Sequence, residues 1–128
     1  MIRAAFVMLL GLSSCQGDET ISGYSATGVT WVLESLNGVA FTASANLTFP
    51  EEGEIAGEAP CNAYFGAQTA PYPWFALEDF GSTKMACADM DQESAYFTAL
   101  AAMTIAEVAD DTLILTNEVG GEMVFRAD

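Results

Sequence analysis

The residues of this chain best equipped for chemistry are its three cysteines, and their positions divide them into one and two. Cys61 and Cys87 lie in Pro60-Cys61-Asn62-Ala63-Tyr64 and Ser82-Thr83-Lys84-Met85-Ala86-Cys87, far from Cys15, and are the natural pair for one disulfide. Such a bond would close a loop of roughly 25 residues and stabilise the fold by about 3 to 4 kcal/mol in the chain-entropy view. The alternative, a redox-active pair, normally keeps its cysteines close together, as in Cys-x-x-Cys, so that one thiolate is activated. Histidine is absent, which excludes Ser-His-Asp and Cys-His catalysis and imidazole metal ligands. Two carboxylates can hydrolyse a glycoside, but among 18 acidic residues nothing marks out a pair. No catalytic residue is predicted.

Asp89, Asp91 and Glu93 alternate as calcium ligands do, yet the glycine and distal glutamate of an EF-hand loop are missing. A helix N-terminus, whose dipole favours acidic residues, accounts for them. No metal or cofactor site is therefore expected. Asn62 and Tyr64 beside the first cysteine suit either a scaffold role, with Asn62 bonding turn backbone and the Tyr64 ring packed with its hydroxyl outward, or contact with a ligand. Trp74, with Tyr72 and Phe75 among prolines, reads as core or as an aromatic patch for a partner. Lys84 is the single lysine; it either pairs with a nearby carboxylate, for about 0 to 1 kcal/mol, or meets a partner. Asn62, Tyr64, Trp74 and Lys84 are thus the candidate partner-binding residues.

The net charge of −15 argues against nucleic acid, whose phosphates require a basic footprint, and against direct docking on anionic lipid. All 18 acids follow Cys15, against Lys84 and Arg126 alone. Such charge attracts cationic partners, or simply keeps the chain soluble, including in a salty medium. With 52% hydrophobic residues, the chain after about residue 28 is expected to fold as one domain with a modest core.

Arg3, the apolar run Ala4 to Leu12 and the small residues before Cys15 make residues 1–14 a secretory signal, too short for a spanning helix of about 20 apolar residues. The segment Leu12-Ser13-Ser14-Cys15 resembles the lipobox of bacterial lipoproteins. That resemblance implies cleavage before Cys15, lipidation of its sulfur and acylation of its amino group, and several acyl chains anchor a protein stably. Gln16, where an aspartate would favour the inner membrane, implies by the same analogy an outer-membrane location facing the periplasm. Residues 15–27, rich in Gly, Ser, Asp and Thr from Gln16 on, read as a lipid-anchored flexible tether, and residues 28–128 as the domain.

Within the domain, Val29, Trp31 and Leu33 alternate as a half-buried strand, and Leu36-Asn37-Gly38-Val39 supplies a turn into a second short strand. Ala45 to Pro50 and Ile55 to Glu58 read as further antiparallel strands. Ala59 to Pro73 reads as an ordered loop or irregular strand, and Trp74 to Phe80 as another strand. Tyr96, Phe97, Leu100 and Met103 recur at helical spacing and predict one main helix over about 89–103, with Asp89 and Gln92 as a capping box. Ile105 to Val108, Thr112 to Thr116 and Glu122 to Arg126 follow as strands, with Leu113 and Leu115 placed to face Met123 and Phe125. Strands, one helix and strands again, without βαβ alternation, predict an α+β fold: a compact antiparallel sheet, partly closed like a barrel.

These pieces together resemble the META domain family, which includes the HslJ-type heat-shock proteins. The resemblance rests on Trp31-Val32-Leu33 with Asn37-Gly38, Leu47-Thr48-Phe49, Gly57 before Cys61-Asn62-Ala63-Tyr64-Phe65-Gly66, Ser82 to Cys87, the helix with Phe97 and Leu100, and Leu113-Ile114-Leu115. It covers about Gly28 to Arg126. Pro60 departs from the glycine usual before the first cysteine, which bears on the local backbone. The resemblance implies a compact envelope domain linked to heat and stress responses, with no established enzymatic activity. The expected function is a non-enzymatic envelope lipoprotein that binds or scaffolds other envelope proteins under stress. The alternative is a periplasmic inhibitor of a basic protein such as lysozyme, an encounter that acidic charge would steer. The sequence leaves the oligomeric state open.

Overall fold

The computed structural model describes residues 17–26 and 28–128. Cys15, the signal segment and Gln16 lie outside them. Strand β1 (Trp31–Leu36) points Trp31 and Leu33 inward, as its alternation requires. Asn37 and Gly38 both adopt positive φ, 52° and 80°, the left-handed pair that a two-residue hairpin turn demands. They reverse the chain into β2 (Val39–Ala40), pairing Leu36 with Val39. β3 (Asn46–Leu47) lies against the start of β1.

Two antiparallel sheets form. In the larger, β2, β1, β9 (Glu122–Ala127), β8 (Thr112–Thr116) and β7 (Ile105–Ala109) run in that order, with β3 also on β1. Leu113 faces Phe125 and Leu115 faces Met123, the expected register, and all four are buried. In the smaller, β5 (Ala63–Ala67) lies between β4 (Glu54–Glu58) and β6 (Glu78–Ser82). A bridge between Thr48 and Ala56 joins the two sheets beyond β3, so the wall curves round without closing into a barrel.

The smaller sheet corrects two expectations. The stretch from Ala59 to Pro73 contains a regular central strand, β5, whose Tyr64 faces the core while Phe65 faces out. Its alanines and glycine dilute the alternation that would have announced it. The strand expected from Trp74 to Phe80 starts only at Glu78 and carries a bulge against β5 between Glu78 and Gly81. The residues before it attach to the other sheet: the amides of Phe75 and Ala106 bond the carbonyls of Thr104 and Pro73.

Helix α1 (Met90–Ala102) packs Tyr96 and Leu100 into the core, close to the predicted 89–103. The capping box is not made. Asp89 occupies the cap position without a side-chain hydrogen bond, and the Gln92 amide instead donates to the Thr42 hydroxyl at 3.2 Å. Part of the stretch read as tether is packed on the domain. Thr20 bridges Pro71, Ile21 is buried in a short 3-10 turn (Ile21–Gly23), and Tyr24 stacks on Tyr72 at 4.2 Å. Trp31 secures the same segment by donating its indole N–H to Ser25.

Candidate functional site

The residues singled out around Cys61 and Cys87 converge in one place. The two sulfurs are bonded, with Cα atoms 5.6 Å apart. Cys61 sits between β4 and β5 and Cys87 just before α1, so the bond ties the smaller sheet to the helix entrance. Beside it lies a polar cluster that the sequence did not disclose. Glu93 is only 3% exposed and Asn62 4%. The Glu93 Oε1 accepts the backbone N–H groups of Cys61 and Asn62, both at 2.8 Å, and its Oε2 accepts the Asn62 Nδ2 at 2.7 Å.

Asn62 completes its hydrogen bonding in the strap that leads to Cys87. Its Nδ2 also donates to the Met85 carbonyl at 2.9 Å, while its Oδ1 accepts the Thr83 hydroxyl at 2.8 Å and the Met85 amide at 2.6 Å. A buried carboxylate is costly unless well bonded, and here three N–H donors meet it. Glu93 lies in the first turn of α1, as its acidic N-terminus predicts. Its side chain turns inward, away from any shared cation site with the exposed Asp89 and Asp91. The signal was present: Glu93 precedes Tyr96, Phe97 and Leu100 by three, four and seven residues, the spacing of one helical face.

Tyr64 reverses the expected orientation. Its hydroxyl points inward, donating to the Asn46 carbonyl at 2.8 Å and lying 2.7 Å from the Tyr96 hydroxyl. Burial raises the Tyr64 phenol well above its usual range, although the Tyr96 hydrogen bond acts the other way. The Tyr96 phenol is raised by burial, then by the neighbouring Tyr64 charge and hydrogen bond. Gly57 is fixed by the same contact, because a Cβ there would collide with the Asn46 carbonyl and the Tyr64 hydroxyl. Phe80 and Phe97 meet edge to face at 4.8 Å and lie against the Tyr64 ring, at 6.1 and 5.5 Å.

Trp74 and Lys84 stand apart from that cluster. Trp74 is 56% exposed, not core, because its backbone bridges Ile105 while its neighbour Phe75 takes the interior position. Lys84 is exposed and does not make the surface ion pair considered for it. Among the described residues, both ion pairs belong to Arg126, with Glu34 at 3.1 Å and Asp111 at 3.7 Å. Lys84 instead lines an open groove of about 330 Å³ between β6 and α1, walled by Phe80, Met85, Met90 and Phe97. Of the four candidate partner-binding residues, then, Asn62 and Tyr64 are committed to the interior. Lys84 and Trp74 are free to meet another molecule.

The fold has known counterparts. An NMR structure of a protein from Burkholderia xenovorans superposes with a TM-score of 0.63 at 23% identity, covering 78% of this chain and 81% of that one. A second NMR structure gives 0.61 at 19% identity, over 87% and 91% of the two chains. A crystal structure of a DUF4847 family protein from Bacteroides vulgatus ATCC 8482 gives 0.59 at 14% identity, over 76% and 90%. At these identities the likeness is one of fold. No curated protein matches the chain. The profile of the META domain matches residues 25–128.

Proposed function

The chain belongs to the META domain family, and from that membership we propose that it is a non-enzymatic binding or scaffolding module of the bacterial cell envelope, used under stress. Its tether is lipid on Cys15, and its place is the outer membrane, facing the periplasm. The observation that carries this reading is the way the fold consumes its polar side chains. Glu93, Asn62, Tyr64 and Tyr96 bond one another and the backbone, and Cys61 is joined to Cys87. Groups so bound brace a scaffold, whereas catalytic groups must converge on a substrate. Exposed apolar side chains such as Phe65, Trp74 and Met85 remain for recognition.

The test is crosslinking in living cells, with a photoreactive residue at Lys84 or Trp74 and the Cys15 lipid attached. Discrete crosslinked envelope proteins that increase on heat shock support the proposal. A chain that stays uncrosslinked at both positions, with or without stress, would remove its basis. Purified lysozyme in the same assay examines the inhibitor alternative: loss of cell-wall lysis at low salt would favour it over scaffolding.

A further inference from the structure

The groove beside Lys84 has a chemistry unlike the rest of the surface. Its walls are mainly apolar, formed by Phe80 on β6, by Met90 and Phe97 on α1 and by Met85 in the strap between them, with Ser82, Thr83 and Ser94 adding hydroxyls. Met85 is 64% exposed, and Phe80 and Met90 are also open to solvent. The chain's single lysine, Lys84, lines it as well. Among the described residues no carboxylate lies within ion-pair distance of Lys84, and Glu93, which also lines the groove, has its oxygens occupied by three N–H donors. In a chain of net charge −15, this is a place where an anionic group finds a free cation next to apolar surface.

The groove also borders a strand edge. β6 is an outer strand of its sheet, and among the described residues nothing pairs with its outer side, so its backbone groups there can receive an added strand. We propose that this groove binds the free carboxyl terminus of an extended apolar peptide, with the carboxylate on Lys84 and the last apolar side chains against Phe80, Met85, Met90 and Phe97. Because Lys84 follows β6 in the chain, a peptide whose terminus reaches it runs parallel to β6. The open strand edge favours a peptide over a fatty acid, which has no backbone to pair and is better held in an enclosed cavity. This inference rests on the binding-module reading and names its partner.

The experiment measures binding of the full chain to a fluorescent hexapeptide of apolar residues ending in phenylalanine with a free carboxylate, alongside its carboxy-terminal amide and dodecanoate. The free acid binds, the amide and the Lys84→Gln variant each weaken binding roughly tenfold or more, as loss of a charge-assisted hydrogen bond requires, and added salt weakens it further. Lys84→Arg keeps the affinity. Met85→Asp, a change at an exposed side chain, lowers it by placing a like charge in the groove. Equal binding of acid and amide, no effect of Lys84→Gln in a variant of unchanged melting temperature, or binding of dodecanoate without the peptide overturns the proposal. If the peptide fails while envelope proteins still crosslink to the domain, the peptide proposal falls and the binding-module reading stands.

Discussion

The two sheets of this domain are held by different forces. The larger is held by burial: Trp31, Leu33, Leu113, Leu115, Met123 and Phe125 are all but removed from water, β8 and β9 pair in unbroken register, and a single bulge interrupts β1 against β9 between Leu33 and Ser35. The smaller sheet also carries a bulge, and it leaves Phe65 61% and Phe80 41% exposed. It is fastened by contacts between residues distant in sequence: the Cys61–Cys87 bond, the Glu93 carboxylate on Asn62, and the paired hydroxyls of Tyr64 and Tyr96. The contrast separates a sheet that its own alternation specifies from one that depends on fasteners. It also explains why the residues most suggestive of chemistry lie in the second.

The comparison can be broken at several points. Phe125→Ala attacks the buried sheet and is expected to cost about 4 kcal/mol, a large aromatic lost from a packed site; denaturant unfolding measures it. Replacing Cys61 and Cys87 by serine together should cost about 3.5 kcal/mol if the bond works by restricting the unfolded chain, and reduction of the parent protein should give the same loss. Glu93→Ala strands three N–H donors, two of them buried, and should cost about 2 to 3 kcal/mol, although no apolar contact of comparable size is removed.

The tyrosine pair gives the smallest effect and one that pH can read. Tyr64→Phe is expected to lower stability by about 1 kcal/mol, because the Tyr96 hydroxyl keeps the Asn46 carbonyl within reach at 3.3 Å. Both phenols are raised by burial in the folded protein, whereas the unfolded chain ionises its tyrosines near pH ~10. The folded state then holds protons that the unfolded state releases, so their contribution is complete below pH ~10 and declines as the pH climbs above it. The double variant Tyr64→Phe, Tyr96→Phe should flatten that decline in unfolding experiments run from neutral to alkaline pH.

How far the sequence discloses the molecule follows the same divide. β1, β8 and β9, the Asn37-Gly38 turn and α1 are legible because local alternation, turn chemistry and helical spacing specify each without reference to a distant partner. The pairing of Cys61 with Cys87 is legible too, once Cys15 is set aside. β5 is hidden because Ala63, Gly66 and Ala67 carry little hydrophobic signal, and its place in the sheet comes from β4 and β6. The inward turn of Glu93 and Tyr64 is hidden for a related reason. A carboxylate near a helix start and a tyrosine beside a turn face solvent by default, and only partners 31 and 32 residues away turn them inward.

Native-state hydrogen exchange, residue by residue, tests the central claim most directly. The Cys61→Ser, Cys87→Ser protein carrying Glu93→Gln should lose protection first and most at the β4, β5 and β6 amides, with the β8 and β9 amides remaining the slowest to exchange. Uniform loss across both sheets, or unchanged protection in β5, would contradict the account, for it would mean that these residues do not fasten the smaller sheet and are free for another purpose.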